Sequence, residues 1–209
     1  MKHVGVSMFG GLALLIATGG LGAAPELSPE EITRMARQIQ QQIVNLSEYG
    51  VFDDISFGFQ GSSSVILRGQ ASRPRLRKSA ERVVSRIEGV EDVINEIEVL
   101  PVSGNDDRIR AQVYARIYGH PTLSRYNPNR GTPRWVSPSR VASGITNDPP
   151  RGSHAIHIIV KNGTVRLEGV VNTAGDKVVA GMQANSTPGA FAVSNDLVAA
   201  KETLKEKKK

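Results

Sequence analysis

Residues 65–99 read VILRGQASRPRLRKSAERVVSRIEGVEDVINEIEV, and residues 165–199 read VRLEGVVNTAGDKVVAGMQANSTPGAFAVSNDLVA. Set side by side, they align without a gap at a constant offset of 100. Val65, Leu67, Gly69, Ala80, Gly89, Val93 and Asn95 recur as Val165, Leu167, Gly169, Ala180, Gly189, Val193 and Asn195, and Ile97 becomes Leu197. The identities fall on apolar, glycine and asparagine positions, where packing or backbone geometry dictates the residue. Such self-similarity marks one folded unit written twice.

Each copy has a readable pattern. In the first, Ile55, Phe57 and Phe59 alternate with Ser56 and Gly58, the period of a half-buried strand. Gly61 to Ser64 turns the chain, and Val65, Leu67 and Gly69 return as a second strand. In the second copy Ile156, Ile158 and Val160 lead through Asn162 and Gly163 into Val165, Leu167 and Gly169. Asn-Gly between alternating runs predicts a tight hairpin, because both residues tolerate positive φ. The first turn is one residue longer, so the constant offset fails upstream of it. Gly69 and Gly169 are expected where the strand backbone comes close to a helix.

Leu76, Ala80, Val83, Val84 and Ile87 then fall at helical spacing. Gly89, with Gly189 as its equivalent, is placed to end that helix in the left-handed conformation. Val93, Ile97 and Val99 read as a third strand, parallel to the second after a right-handed crossover. The second copy's helix is poorer in apolar residues, with Gln183, Ala184 and Thr187 in place of Val83, Val84 and Ile87.

A helix precedes each hairpin. Ser28-Pro29-Glu30-Glu31 is a capping box with proline at the first helical position, followed by an apolar face of Ile32, Met35, Ile39, Ile43 and Leu46. In the second copy Asn105, Asp106 and Asp107 stand as caps before Ile109, Val113 and Ile117. The expected fold is α+β: two tandem αββαβ modules at 28–100 and 106–200, joined by Pro101–Asn105. The second carries a disordered or loop insert at 119–152. Between Tyr118 and His154 lie six of the chain's eleven prolines, five arginines, Tyr126 and the only tryptophan, Trp135. A stretch this long without periodicity is a functional loop or a disordered one.

The N-terminus adds a location. Lys2 and His3 precede the apolar run Val4–Ile16 and the small residues Ala17–Ala24, the order of a secretory signal peptide. About a dozen apolar residues fall short of the ~20 a membrane span needs. A signal peptide over 1–23, cleaved near Ala23, and a periplasmic mature chain with no transmembrane span are expected. The 209 residues contain no cysteine, which removes disulfides, thiolate catalysis, cysteine zinc sites and a lipid-bearing cysteine. A net charge of +6 favours anionic partners.

The stretch Asn162-Gly163-Thr164-Val165-Arg166-Leu167-Glu168-Gly169-Val170-Val171, then Gly189 and Val193-Ser194-Asn195-Asp196-Leu197, resembles the BON family, the bacterial OsmY and nodulation domain. In the first copy the same motif is Val65-Ile66-Leu67-Arg68-Gly69 with Gly89-Val90-Glu91-Asp92-Val93-Ile94-Asn95-Glu96-Ile97. The resemblance spans about two-thirds of the mature chain. It implies helices packed on one face of a three-stranded mixed sheet, and an envelope protein that attaches to phospholipid surfaces or envelope components. The family has no catalytic residues to carry over, and a long insert in the second copy departs from its pattern.

The residues themselves offer no catalytic site. His154 and His157, three apart on a strand, point to opposite faces and share no metal ion. No nucleophile-elbow or metalloprotease motif occurs, and no cofactor is expected. Binding candidates are basic or aromatic: Arg73, Arg75, Lys78 and Arg82 around the first copy's second helix, and Tyr126, Arg130, Arg134 and Trp135 in the insert. Aromatic rings with a polar edge settle at headgroup level, and arginines pair with phosphate oxygens. The expected partner is an anionic phospholipid surface or envelope proteins. The alternative is a chaperone-like or protein-binding envelope stress protein that receives a polypeptide by strand addition. Export and the lack of a recognised motif argue against nucleic acid. The C-terminal 201–209 reads as a solvated basic tail.

Overall fold

A computed structural model describes residues 28–61, 63–127 and 154–200. The expected signal peptide, Arg130, Arg134, Trp135 and the C-terminal 201–209 lie outside the described residues. The chain divides into two compact units, the first reaching to Tyr49 and resuming at Ile55–Val99, the second comprising Gly50–Asp54 and everything from Leu100.

The first unit opens with α1 (Pro29–Val44). Ser28 Oγ accepts from Glu31 N–H, and the Glu31 carboxylate accepts from Ser28 N–H at 2.8 Å, so the predicted capping box forms in both directions. That pairing holds the Glu31 carboxyl below its ordinary pKa. Strands β1 (Asp54–Gln60) and β2 (Ser64–Ala71) follow. Next come α2 (Pro74–Val84), β3 (Asp92–Asn95) and β4 (Glu98–Val99). The sheet order is β1-β2-β3, with β3 parallel to β2 as the crossover requires. β3 and β4 are one expected strand interrupted at Glu96, whose N–H bonds Leu67 O at 2.8 Å; β4 resumes the parallel pairing with β2. The sheet thus has four strand segments where three were expected.

Met35, Ala36, Ile39 and Ile43 of α1 and Leu76, Ala80 and Val84 of α2 share one core with Phe57, Val65, Leu67, Ala71 and Ile97. Both helices therefore cover the same face of the sheet. Each large side chain removed from water here, such as Ile39 or Leu76, contributes on the order of 1.5–3 kcal/mol. Gly89 departs from its expected place. α2 stops at Val84, and two tight turns (Ile87 N–H to Val84 O, Val90 N–H to Ile87 O) intervene before β3. The left-handed Gly89, φ 89°, belongs to this connection and not to the helix end.

The second unit repeats the order. α3 (Gly104–Gly119) is capped by Ser103, whose Oγ accepts from Asp106 N–H. The cap therefore precedes the Asn105–Asp107 expected from sequence. β5 (Ile156–Lys161) and β6 (Thr164–Val171) pair antiparallel through a two-residue turn, with Asn162 at φ 52° and Gly163 at φ 76°. Both residues at positive φ give the hairpin geometry that Asn-Gly predicts. α4 (Ala174–Asn185), β7 (Ala192–Asn195) and β8 (Val198–Ala199) complete the unit, β7 and β8 both parallel to β6. Asp196 N–H bonds Leu167 O at 2.9 Å, the same interruption as in the first sheet.

Asp106 has a task that no cap requires. It is buried, and its two oxygens accept from Asn162 and Gly163 N–H at 2.9 and 2.8 Å, tying the α3 start to the hairpin turn. Arg110, one turn on, donates to Val160 O and to Asp107. Val51 and Phe52 join this unit's core, and Val51 O accepts from Ile158 N–H at 2.8 Å.

Candidate functional site

The basic candidates on α2 form a surface feature. Successive residues step about 100° around an α-helix, so Arg75, Lys78 and Arg82 fall within an arc of about 60°. All three are exposed, and among the described residues their side chains have no ion-pair or hydrogen-bond partner. Arg73 stands apart as the half-buried N-cap residue, already drawn into an interaction within the fold. Arg77 lies off the stripe and donates to Asn95 O at 3.1 Å. Lys78 and Arg82, with Glu81, Ser85, Glu91 and Asp92, line an open groove of about 430 Å³ between α2 and β3.

The motif asparagines fasten strand to helix in both units. Asn95 Nδ2 donates to Arg77 O at 3.0 Å, and Asn195 Nδ2 donates to Lys177 O at 2.7 Å, the same bond one repeat later. Asn95 Nδ2 also reaches the Glu81 carboxylate. The second unit has Gly181 there, where an added Cβ would stand 2.7 Å from Asn195 Nδ2. The expectation for Gly169 changes partner. At φ 121° its missing Cβ makes room for the carbonyl of Ala155 in the neighbouring strand, not for a helix. Val170 N–H bonds that carbonyl oxygen at 3.0 Å.

Part of the insert is ordered. α3 continues to Gly119, and a 3₁₀ turn at Ser124–Tyr126 follows, with Leu123 fully buried. Tyr126 is half-buried there. Its hydroxyl donates to Asp176 at 2.8 Å and accepts from Asn172 N–H at 2.7 Å, while Arg125 pairs with the same carboxylate. Burial works to raise the Asp176 pKa, but the bonds from Thr173, Tyr126 and Arg125 outweigh it and hold the carboxyl below its ordinary value. The repeat alignment does not announce this cluster, because Asp176 stands where the first unit packs Leu76. The local signal is Thr173-x-x-Asp176, a capping-box pattern that closes in both directions.

His154 and His157 are both buried. Burial drives the His157 pKa down to about 4, against backbone groups of Asp53, Gly50 and His154 that favour its charged form. Its rings and neighbours are those of a core: His154 stacks edge-on with Tyr114 and Tyr118. Among the described residues no three His, Asp or Glu side chains converge to hold a metal ion.

Arg166 lies 3.3 Å from Glu168 and 3.7 Å from Asp54. Desolvation pushes Glu168 up to about 7; Arg166 opposes the rise, and Asp54 and Asp196 add to it. A folded pKa above the ordinary 4.5 means that the fold holds this proton more tightly than the unfolded chain. Its contribution to stability is complete below 4.5 and is lost as pH rises through 7. A carbon-detected NMR titration is expected to place the Glu168 midpoint near 7, and Glu168→Gln to remove that loss of stability. A midpoint near 4.5 would refute the assignment.

No curated protein sequence matches the chain. Solved structures similar to it include the following two. One is described as CdsD, the structural protein of the type III secretion system of Chlamydia trachomatis, C-terminal domain, at 14% identity and a TM-score of 0.24, covering 82% of this chain and 98% of that one. The other, from structural studies of CdsD of the same organism, has 14% identity and a TM-score of 0.23, covering 86% and 97%. Among the described residues no helix is long and apolar enough to cross a membrane. The family model for the BON domain matches residues 32–101 and again 139–201. With both repeats matched over most of its length, the chain belongs to the BON domain family, in tandem form.

Proposed function

We propose that the chain is an exported, non-catalytic periplasmic protein, its signal peptide removed near Ala23, that attaches to anionic phospholipid at the envelope surface. The observation that carries this is the α2 stripe: Arg75, Lys78 and Arg82 lie on one arc and make no partner of their own among the described residues. Cations near anionic lipid gain on the order of 1 kcal/mol each, and a stripe delivers them together. Membership in a family of binding modules agrees with such a role. Arg130, Arg134 and Trp135 remain part of the proposal, as further headgroup contacts contributed by the insert.

The test is co-sedimentation of the whole mature chain with phosphatidylcholine vesicles, with and without phosphatidylglycerol, at low salt. Pelleting that requires phosphatidylglycerol is expected. No lipid-dependent pelleting would defeat the reading.

A second reading rests on the sheet edges. Among the described residues β3 and β7 each pair on one side only, with β2 and β6, which leaves their outer edges to receive an extended polypeptide. A chaperone-like envelope role built on these edges predicts capture of unfolded envelope proteins that is indifferent to phosphatidylglycerol.

A further inference from the structure

The groove beside α2 is lined by five charged residues: Lys78, Glu81, Arg82, Glu91 and Asp92. One repeat later every one of them is uncharged: Val178, Gly181, Met182, Phe191 and Ala192. The two units share fold, register and the strand-to-helix asparagine bond, so these are equivalent positions on the same kind of surface. The second unit has thus replaced an entire charged face with an apolar one. It has not buried that face. Val178 is 59% exposed, Met182 63% and Phe191 85%. Val178 and Met182 are one turn apart on α4, on the arc that carries Lys78 and Arg82 in α2.

Phe191 is also held firmly in the open. Its N–H bonds Gly163 O at 2.9 Å, and its ring lies so close over Gly163 that a Cβ there would strike it. An aromatic ring fixed at the surface and left in water has no role in this unit's own core, whose members exclude it.

We propose that Val178, Met182 and Phe191 form an insertion surface that enters the interfacial layer of an anionic bilayer, deepening the lipid attachment proposed above and resting on it. Two features of the face favour a bilayer. The exchange removes three carboxylates, Glu81, Glu91 and Asp92, together with two cations, Lys78 and Arg82, so the face sheds a net negative charge and is left with side chains that gain by entering the acyl boundary. The area is also too small for a stable pair of copies. A standard interface takes about 800 Å² from each partner. Even a fully exposed aromatic side chain brings only ~150–250 Å², so three partly exposed side chains supply roughly half. A bilayer demands no reciprocal surface. On this account the first unit's helix supplies charge at headgroup depth, and the second unit's equivalent helix supplies apolar depth.

The absence of cysteine from the chain allows one environment-sensitive fluorophore to be placed at will. In the full mature chain, Met182→Cys carries it on the insertion surface. Ser85→Cys carries it in the charged groove of the first unit. With vesicles containing phosphatidylglycerol, the label at 182 is expected to shift to the blue and to be quenched by a quencher attached to the acyl chains; the label at 85, at headgroup depth, is expected to shift less and to escape that quenching. The unlabelled variant Met182→Arg with Phe191→Glu, which imports the first unit's residues at solvent-exposed positions, is expected to bind the same vesicles about tenfold more weakly with unchanged thermal unfolding. An unshifted label at 182 on vesicles that still pellet the chain would overturn this inference and leave the electrostatic attachment standing. Failure of the wild-type chain to pellet would overturn both. A blue shift at 182 that appears without vesicles and grows with protein concentration would identify a second copy as the occupant and overturn the bilayer assignment.

Discussion

Gly169→Ala is expected to destabilise the second unit by about 3 kcal/mol. The backbone at this position has φ 121°, outside the left-handed helical well that alanine can enter at modest cost, which accounts for about 1–3 kcal/mol. The added Cβ would meet the Ala155 carbonyl oxygen, with the carbonyl carbon at 3.1 Å, and both are backbone atoms that cannot swing aside. Relief comes only by parting the two strands where Val170 N–H bonds Ala155 O, and losing that bond adds roughly 0.5–1.5 kcal/mol. For a unit of this size the loss lowers the unfolding midpoint by on the order of 15 °C. Gly61→Ala is the control: φ is 71° and nothing lies within 4 Å, so only the left-handed backbone cost of about 1 kcal/mol applies. Thermal unfolding followed by circular dichroism compares the two. Equal losses would mean that the close strand approach at Gly169 is wrong.

Much of the fold was legible because its signals are local or periodic. Ser28-Pro29-Glu30-Glu31 forms its capping box with no help from the rest of the chain. Asn162-Gly163 imposes its turn through two backbone conformations that few other pairs adopt. The crossover from β2 to β3 follows from strand twist and helix handedness, and the parallel register Val65↔Val93 and Val165↔Val193 confirms it. The repeat made each reading count twice.

What escaped the sequence depends on long-range partners. A buried Asp176 in place of core Leu76 is tolerated only because Arg125 and Tyr126 arrive from 50 residues away to satisfy it, and no period in the sequence encodes that arrival. Asp106 looks like a helix cap and is one turn too late for it; its acceptors' true donors, Asn162 and Gly163, lie beyond the insert. Gly89 and Gly169 were recognised as special backbone positions, but which neighbour each accommodates is a tertiary fact. The exposed apolar triad of Val178, Met182 and Phe191 was hidden by the same alignment that revealed the repeat. The alignment is carried by positions the two copies share, whereas this surface is made of positions where they differ.

That difference also frames the proposed lipid site. Of the residues expected to bind lipid, Arg75, Lys78 and Arg82 come together on α2, and Tyr126 is committed to Asp176 and Asn172. The attraction of the α2 stripe to an anionic surface is therefore the central claim, and it has a large expected effect. Removing three cations worth about 1 kcal/mol each near anionic lipid amounts to about 3 kcal/mol, on the order of a hundredfold in affinity at low salt. The side chains are exposed and stand outside the core, so replacing them leaves stability within about 0.5 kcal/mol per site. The effect should fade as salt is raised toward 1 M, where screening shortens the reach of these charges to ~3 Å.

The decisive measurement is the binding isotherm of the whole mature chain carrying Arg75→Gln, Lys78→Gln and Arg82→Gln on vesicles containing phosphatidylglycerol, against the wild type at low salt. A loss near a hundredfold, with unfolding unchanged, is the predicted result. Isotherms that superimpose would show that the α2 cations play no part in holding the protein to the membrane.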